Sequence, residues 1–219
     1  KKDITNIKCV INGAGAAGTA IGEHLLALGL KNLIMCDKDG AIYNGMAGLN
    51  SAHTELSKKT NPNCEKGNLA DVMRDADVFI GVSAPNKVTE EMVKSMANDA
   101  IMFPMANPTP EIMPDIAKKA GARVVGTGRS DFPNQINNVL AFPGIFRGAL
   151  DVQATGINEA MKLAAVKAFA DLAKEPVPEA VILAYNLKSL NFSREYFIPK
   201  PFDNRLITKV SMAVAKAAM

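Results

Sequence analysis

The amino-acid sequence predicts an α/β fold: a doubly wound parallel sheet with a helical C-terminal extension. Three observations carry this. Short apolar, β-rich runs recur through the first two-thirds of the chain. A helix-length stretch follows each of them. After Asn138 the strand-like runs cease and only helical periodicity remains. Alternation of this kind belongs to parallel sheets with helices on both faces, and continuous apolar strands belong to sheets buried on both sides.

The elements read in order as follows. Strand-like runs lie at 9–11, 33–36, 78–82, 101–103 and 123–125. A first helix runs to about Leu28, and a second carries His53 and ends near Lys58-Lys59. Short helices are expected over 69–76, 89–96 and 111–120; in the middle one Met92, Val93 and Met96 share a face. Ile157, Ala160, Met161, Ala164, Ala165, Ala168, Phe169 and Leu172 form the stripe of a long amphipathic helix, which Pro176 and Pro178 close. Helices over about 179–190 and 204–219 follow, separated by Pro199 and Pro201. The expected division is residues 1–150 as the sheet-bearing core and residues 151–219 as a helical extension of the same domain. Both ends read as cuts through a larger protein.

Composition excludes several classes. With 219 residues, 48% apolar and 21% charged, the chain has the balance of a globular protein. Its 25 basic and 22 acidic residues leave a net charge of +3, too small and too evenly spread to mark a nucleic-acid partner. No apolar run is long enough for a membrane helix, and the Lys-Lys-Asp start, followed soon by a glycine-rich turn, is not a secretory signal. A cytoplasmic location is expected. The cysteines Cys9, Cys36 and Cys64 form no C-x-x-C pair, so neither a zinc site nor a disulfide framework is read; Cys9 and Cys36 sit in apolar runs as small buried hydrophobes.

The strongest local signal is Gly13-Ala14-Gly15-Ala16-Ala17-Gly18, between the first strand and the first helix. In a Rossmann-like dinucleotide fold, Gly13 permits the tight turn, Gly15 lets the backbone approach a pyrophosphate, and Gly18 lets helix and strand pack closely. The N–H groups around Ala16 and Ala17, at the helix start, face the phosphate. Asp37 ends the second strand about 20 residues further on, where an acid for the ribose hydroxyls is expected. Asp37 favours NAD because a carboxylate repels a 2′-phosphate. Lys38 argues for NADP, as a partner for that phosphate, or is a solvated turn lysine. Loops after the third, fourth and fifth strands should reach the same ligand: 81–86 with Ser83 and Ala84, 105–110 with Asn107, and 126–138 with Asn137 and Asn138. These loops are rich in Asn and hold no His or Cys. Amides orient a carboxylate or carboxamide; they do not move protons. His24 and His53 read as surface or partner-facing helix positions, and Arg147 as structural.

The run Val10-Ile11-Asn12-Gly13-Ala14-Gly15-Ala16-Ala17-Gly18, the Ala106-Asn107-Pro108-Thr109 segment, the stretch Asn137-Asn138-Val139-Leu140-Ala141-Phe142-Pro143-Gly144-Ile145-Phe146-Arg147-Gly148-Ala149-Leu150 and the late Tyr196-Phe197-Ile198-Pro199-Lys200-Pro201-Phe202-Asp203 together resemble the cofactor-binding half of malic enzymes, most of all the short bacterial type. The resemblance implies oxidative decarboxylation of malate to pyruvate and CO₂, with NAD or NADP and with Mg²⁺ or Mn²⁺ in the parent enzyme. Hydride leaves C2 of malate for the nicotinamide, and the metal polarises the resulting ketone. By resemblance Asn107 is the Asn near substrate and nicotinamide, and Asn138 a malate-binding Asn with Asn137 beside it. The family's lysine base, tyrosine acid and metal carboxylates belong to a segment N-terminal to the glycine turn. No catalytic residue and no metal ligand is therefore assigned to this chain, which is expected to be inactive alone; Lys38, Tyr43, Asp131 and Asp151 are not substitutes supported by spacing. Asn86 stands where relatives often have Gly, and the Lys58 region is where some place a lysine for the NADP phosphate. The implied partners are malate and pyruvate, the missing N-terminal catalytic domain, and a second copy in a homodimeric full-length enzyme. Two other readings stay open: an NAD(P)-binding module without chemistry, and a different NAD-linked dehydrogenase acting on a small hydroxy or amino acid.

Overall fold

A computed structural model describes residues 2–219. The chain divides into two compact units, one ending at Phe132 and the other running Pro133–Met219. The division falls earlier than the boundary expected at residue 150. The reason lies in a helix that periodicity did not single out, Phe142–Asp151, whose principal packing partners belong to the later unit.

The first unit holds a six-stranded sheet. Its strands are β1 (Lys8–Asn12), β2 (Asn32–Asp37), β3 (Gly40–Ala41), β4 (Val78–Gly81), β5 (Ile101–Pro104) and β6 (Val124–Val125), in the spatial order β3-β2-β1-β4-β5-β6. Five of them are parallel, as the α/β alternation requires. The two-residue β3, too short to leave a sequence signal, turns back antiparallel on β2. Register pairs Val10 with Ile34 and Phe79, and Phe79 with Met102. Those four residues belong to one buried cluster, whereas Cys9, Ile11, Leu33, Met35 and Ile80 belong to another. Side chains alternate between the two faces, and both faces are buried, which is why the strands read as unbroken apolar runs.

Helices α1 (Ala16–Ala27) and α2 (Ser51–Lys59) cover one face, through Ile21, Leu25 and Leu56. The shorter α3 (Leu69–Met73), α4 (Glu90–Lys94) and α5 (Pro114–Lys119) cover the other, through Val72, Met73, Met92, Val93 and Ala117. Local chemistry sets where they begin. Asn50 and Asn68 accept hydrogen bonds from the N–H groups of His53 and Asp71, and Pro114 opens α5 with the φ a helix needs. The thiols of Cys9 and Cys36 are buried in this core, and burial pushes both up to about 12.

The second unit is helical. A 3₁₀ turn at Asn138–Leu140 leads into α6 (Phe142–Asp151); α7 (Glu159–Leu172), α8 (Glu179–Ala184) and α9 (Arg205–Ala218) follow. Helix α8 stops well before the expected residue 190, because Asn186 enters the left-handed region at φ +53° and the helical ladder ends there. Leu140, Met161, Ala165, Leu172, Leu206, Val210 and Val214 form its core. Gly144 and Gly148, one turn apart on α6, face α9: a Cβ on Gly144 would stand 2.6 Å from the Val210 side chain, and one on Gly148 2.8 Å from that of Val214. The glycines let the two helices approach closely, a role invisible to hydrophobic periodicity.

Candidate dinucleotide-binding site

The carboxyl end of β1 carries the glycine turn. Gly13 adopts φ +118°, and a Cβ there would lie 2.6 Å from the Val82 carbonyl oxygen. Its N–H donates to the Cys36 carbonyl (2.9 Å), and Val82 N–H donates to the Asn12 carbonyl (2.9 Å). The turn is therefore bolted to the ends of both neighbouring strands. At Gly18 a Cβ would run into the Gly13 carbonyl oxygen, so α1 meets the turn closely only without one. Gly15 differs. It is the N-cap of α1, it is exposed, and a Cβ would meet nothing within 4 Å. Ala16 and Ala17, also exposed, begin the helix, and no side chain caps its first N–H groups. Uncapped N–H groups at a helix start carry partial positive charge and suit an anion.

Asp37 stands at the end of β2, next to β1. Its Oδ1 accepts from Asp39 N–H (2.8 Å), an interaction that fixes the carboxylate over the turn into β3. Asp37, Lys38, Gly13, Ser83 and Ala84 line one cavity of about 620 Å³, together with Asn12, Asn68, Leu69 and Lys87. Five of the expected residues thus meet at a single opening. Gly15, Ala16, Ala17, Gly18 and Asn107 are not part of its wall. Asn12 donates through Nδ2 to Ser83 Oγ (2.7 Å), tying the β1 and β4 ends. Asn86, in the loop after β4, takes φ +57°; glycine favours that region and Asn is among the side chains that tolerate it. Asn107 is exposed in the loop after β5, and its amide abuts Gly128 after β6, where a Cβ would stand 3.0 Å from Oδ1.

Asn137 and Asn138 belong to the second unit. Asn137 spends its amide oxygen on Val139 N–H (3.0 Å) as the cap of the 3₁₀ turn, while Asn138 is exposed. Asp131 pairs with Arg129 through Nε and Nη2, and that guanidinium holds its carboxyl below the usual range. Asp151 pairs with Arg147. Both carboxylates have structural partners.

His53 corrects the sequence reading. It is not a surface position. The ring is four-fifths buried, with Nε2 3.0 Å from the Ala14 carbonyl oxygen and Nδ1 3.7 Å from Asp37 Oδ2. It stands between the glycine turn and the acid at the β2 end. Helical spacing does not register this, because the packing of α2 against the turn is a tertiary contact. Lys87 and Asn12 were likewise missed as cavity residues; the position of Asn12, immediately before Gly13 at a strand's carboxyl end, was the available signal. Among the described residues no three His, Cys, Asp or Glu side chains gather to hold a metal, and no helix is long and apolar enough to cross a membrane.

Comparison with known proteins agrees with this architecture. The family described as "Malic enzyme, NAD binding domain" matches residues 1–192. A bifunctional malic/malolactic enzyme of Bacillus subtilis is 56% identical over all of this chain and half of its own length. An NADP-dependent malic enzyme of Escherichia coli is 50% identical, again over the whole chain but 29% of its own. An NAD-dependent malic enzyme of Geobacillus stearothermophilus is 48% identical over 99% of this chain and 42% of its own length. The crystal structure of the NAD-dependent malic enzyme from Thermotoga maritima superposes with a TM-score of 0.86 at 40% identity, covering 98% of this chain and 52% of that one. The chain spans half the length, or less, of these curated relatives. It belongs to the malic enzymes, as their NAD-binding domain.

Proposed function

We propose that this chain is the NAD(P)-holding part of an enzyme that oxidatively decarboxylates malate to pyruvate and CO₂. The observation that carries the reading is the pairing of an open, uncapped helix start at Gly15 with a fixed carboxylate, Asp37, on the neighbouring strand. The first suits a pyrophosphate and the second a ribose diol. When bound, the nicotinamide accepts the hydride that leaves malate C2. The chain's own part is to bind and orient. Gly13, Gly15, Ala16, Ala17 and Gly18 cradle the pyrophosphate; Asp37 takes the adenosine ribose; Ser83 and Ala84 border its path. Asn107 aligns the nicotinamide and substrate, and Asn138, with Asn137 beside it, binds malate. None of these amides titrates, so each works by orientation.

NAD is the preferred cofactor, because the Asp37 carboxylate repels a 2′-phosphate. NADP is the second reading: Lys38 and Lys87 line the same cavity and are the cations such a phosphate would meet. Base, acid and divalent metal (Mg²⁺ or Mn²⁺) are supplied from outside these 219 residues. The chain's partial span of its relatives supports this. The metal is accordingly placed on none of these residues. The full-length enzyme acts as a homodimer in this reading. Calorimetric titration of the protein with NADH and ADP-ribose tests it; no binding at millimolar ligand refutes it.

A further inference from the structure

Glu111 is completely buried, which is exceptional for a glutamate without a cationic partner. No ion pair reaches it among the described residues. Instead its carboxylate takes hydrogen bonds from two loops. Ser83 N–H donates to Oε1 (3.0 Å), with the Ser83 hydroxyl also directed there (3.4 Å), and Ala106 N–H donates to Oε2 (3.1 Å). One oxygen thus serves the loop after β4 and the other the loop after β5. Beneath them Gly81 leaves the room: a Cβ there would stand 2.6 Å from both carboxylate oxygens. The backbone repeats the link, since Asn86 N–H donates to the Pro110 carbonyl (3.1 Å) and Val88 N–H to that of Glu111 (3.0 Å).

The sheet order says which half of the ligand this concerns. Asp37 lies on the β2 side of β1, whereas β4 and β5 lie on the other. A dinucleotide spread across the strand ends with its adenosine at Asp37 sets its nicotinamide toward the β4 and β5 loops. We propose that Glu111 is a positioning residue for the nicotinamide side of the site: its two carboxylate oxygens hold the loops after β4 and β5 at one separation and so fix where Asn107, next to Ala106, stands. This rests on the dinucleotide reading above and adds to it a residue that touches neither substrate nor cofactor.

Glu111→Gln is nearly isosteric but has a single acceptor oxygen, so one of the two loop N–H groups faces an NH₂ instead. Gly81→Ala retains the carboxylate as a group but displaces it, since a Cβ there comes within 2.6 Å of both oxygens, and it keeps the proposal testable if Glu111→Gln does not fold. The protein is titrated with NADH and with ADP-ribose, which lacks the nicotinamide. The chain has no Trp, so the fluorescence of the bound reduced nicotinamide is read without a tryptophan background. Unmodified protein binds NADH more tightly than ADP-ribose. In each variant that preference falls about tenfold and the emission change on NADH binding is lost, while ADP-ribose affinity stays within about twofold. An unchanged preference in a variant that still binds ADP-ribose overturns the role of Glu111 and leaves the dinucleotide reading standing. Parallel weakening of both ligands in both variants overturns it too, because a merely structural brace acts on the whole site. Failure of the unmodified protein to bind ADP-ribose overturns the dinucleotide reading, and this proposal with it.

Discussion

Replacing Gly15 with valine separates what the glycine turn does for the fold from what it does for a ligand. The Gly15 backbone is extended (φ −78°, ψ −169°), a conformation open to any L residue, and a Cβ there meets nothing within 4 Å. The cost to the protein is therefore that of a poorer helix cap, about 1 kcal/mol. For a chain of this length that is a fall in Tm of about 2–4 °C. The cost to a bound pyrophosphate is larger. A valine side chain stands where the phosphate must approach the first N–H groups of α1. Losing one charge-assisted hydrogen bond of about 1.5–3 kcal/mol weakens binding about ten- to a hundredfold. Gly18→Val is the contrast, because its Cβ runs into the Gly13 carbonyl and the fold itself must give way. Thermal denaturation followed by circular dichroism gives the first quantity, and calorimetric titration with ADP-ribose the second. ADP-ribose affinity within about twofold of the unmodified protein in folded Gly15→Val would show that the second glycine faces no pyrophosphate.

Four further outcomes are expected. Asp37→Ala narrows the preference for NAD over NADP by removing a like-charge repulsion; NADP binding at least as tight as NAD in the unmodified protein would assign the ribose end to Lys38 and Lys87 instead. In the full-length enzyme, Asn107→Ala and Asn138→Ala each lower kcat/KM for malate severely, with smaller effects on cofactor affinity and with both pH–rate limbs unmoved, since no titrating group is lost; the 219-residue chain alone produces no NADH from malate, and measurable turnover would reopen the assignment of base and acid to Lys38, Tyr43 and Asp131. Alkylation of the folded protein near neutral pH followed by mass spectrometry labels the exposed Cys64 and spares Cys9 and Cys36, whose buried thiols are pushed up to about 12 and are scarcely ionised there; labelling of either buried cysteine as fast as Cys64 contradicts the packing of β1 and β2.

The parts legible in the sequence are those governed by neighbours along the chain. Strand identity follows from apolar runs, and the parallel sheet from strand-helix alternation. The glycine turn is legible as well, because its glycines fall within six residues of one another, although the contacts that hold it come from Cys36 and Val82; Asp37 follows from the strand that brings it there. Specific motifs carried the family. Other features depend on residues distant in sequence. The β3 hairpin is too short to have a pattern. Helix α6 joins the later unit because Gly144 and Gly148 admit α9, more than sixty residues downstream. His53 reads as an ordinary helix residue until α2 packs against the turn and the end of β2. Glu111 reads as the polar start of a helix until two loops, after different strands, turn their N–H groups onto it. Periodicity records which side of an element is apolar. It does not record which backbone donors converge on a buried carboxylate, since that convergence exists only once β4 and β5 lie side by side.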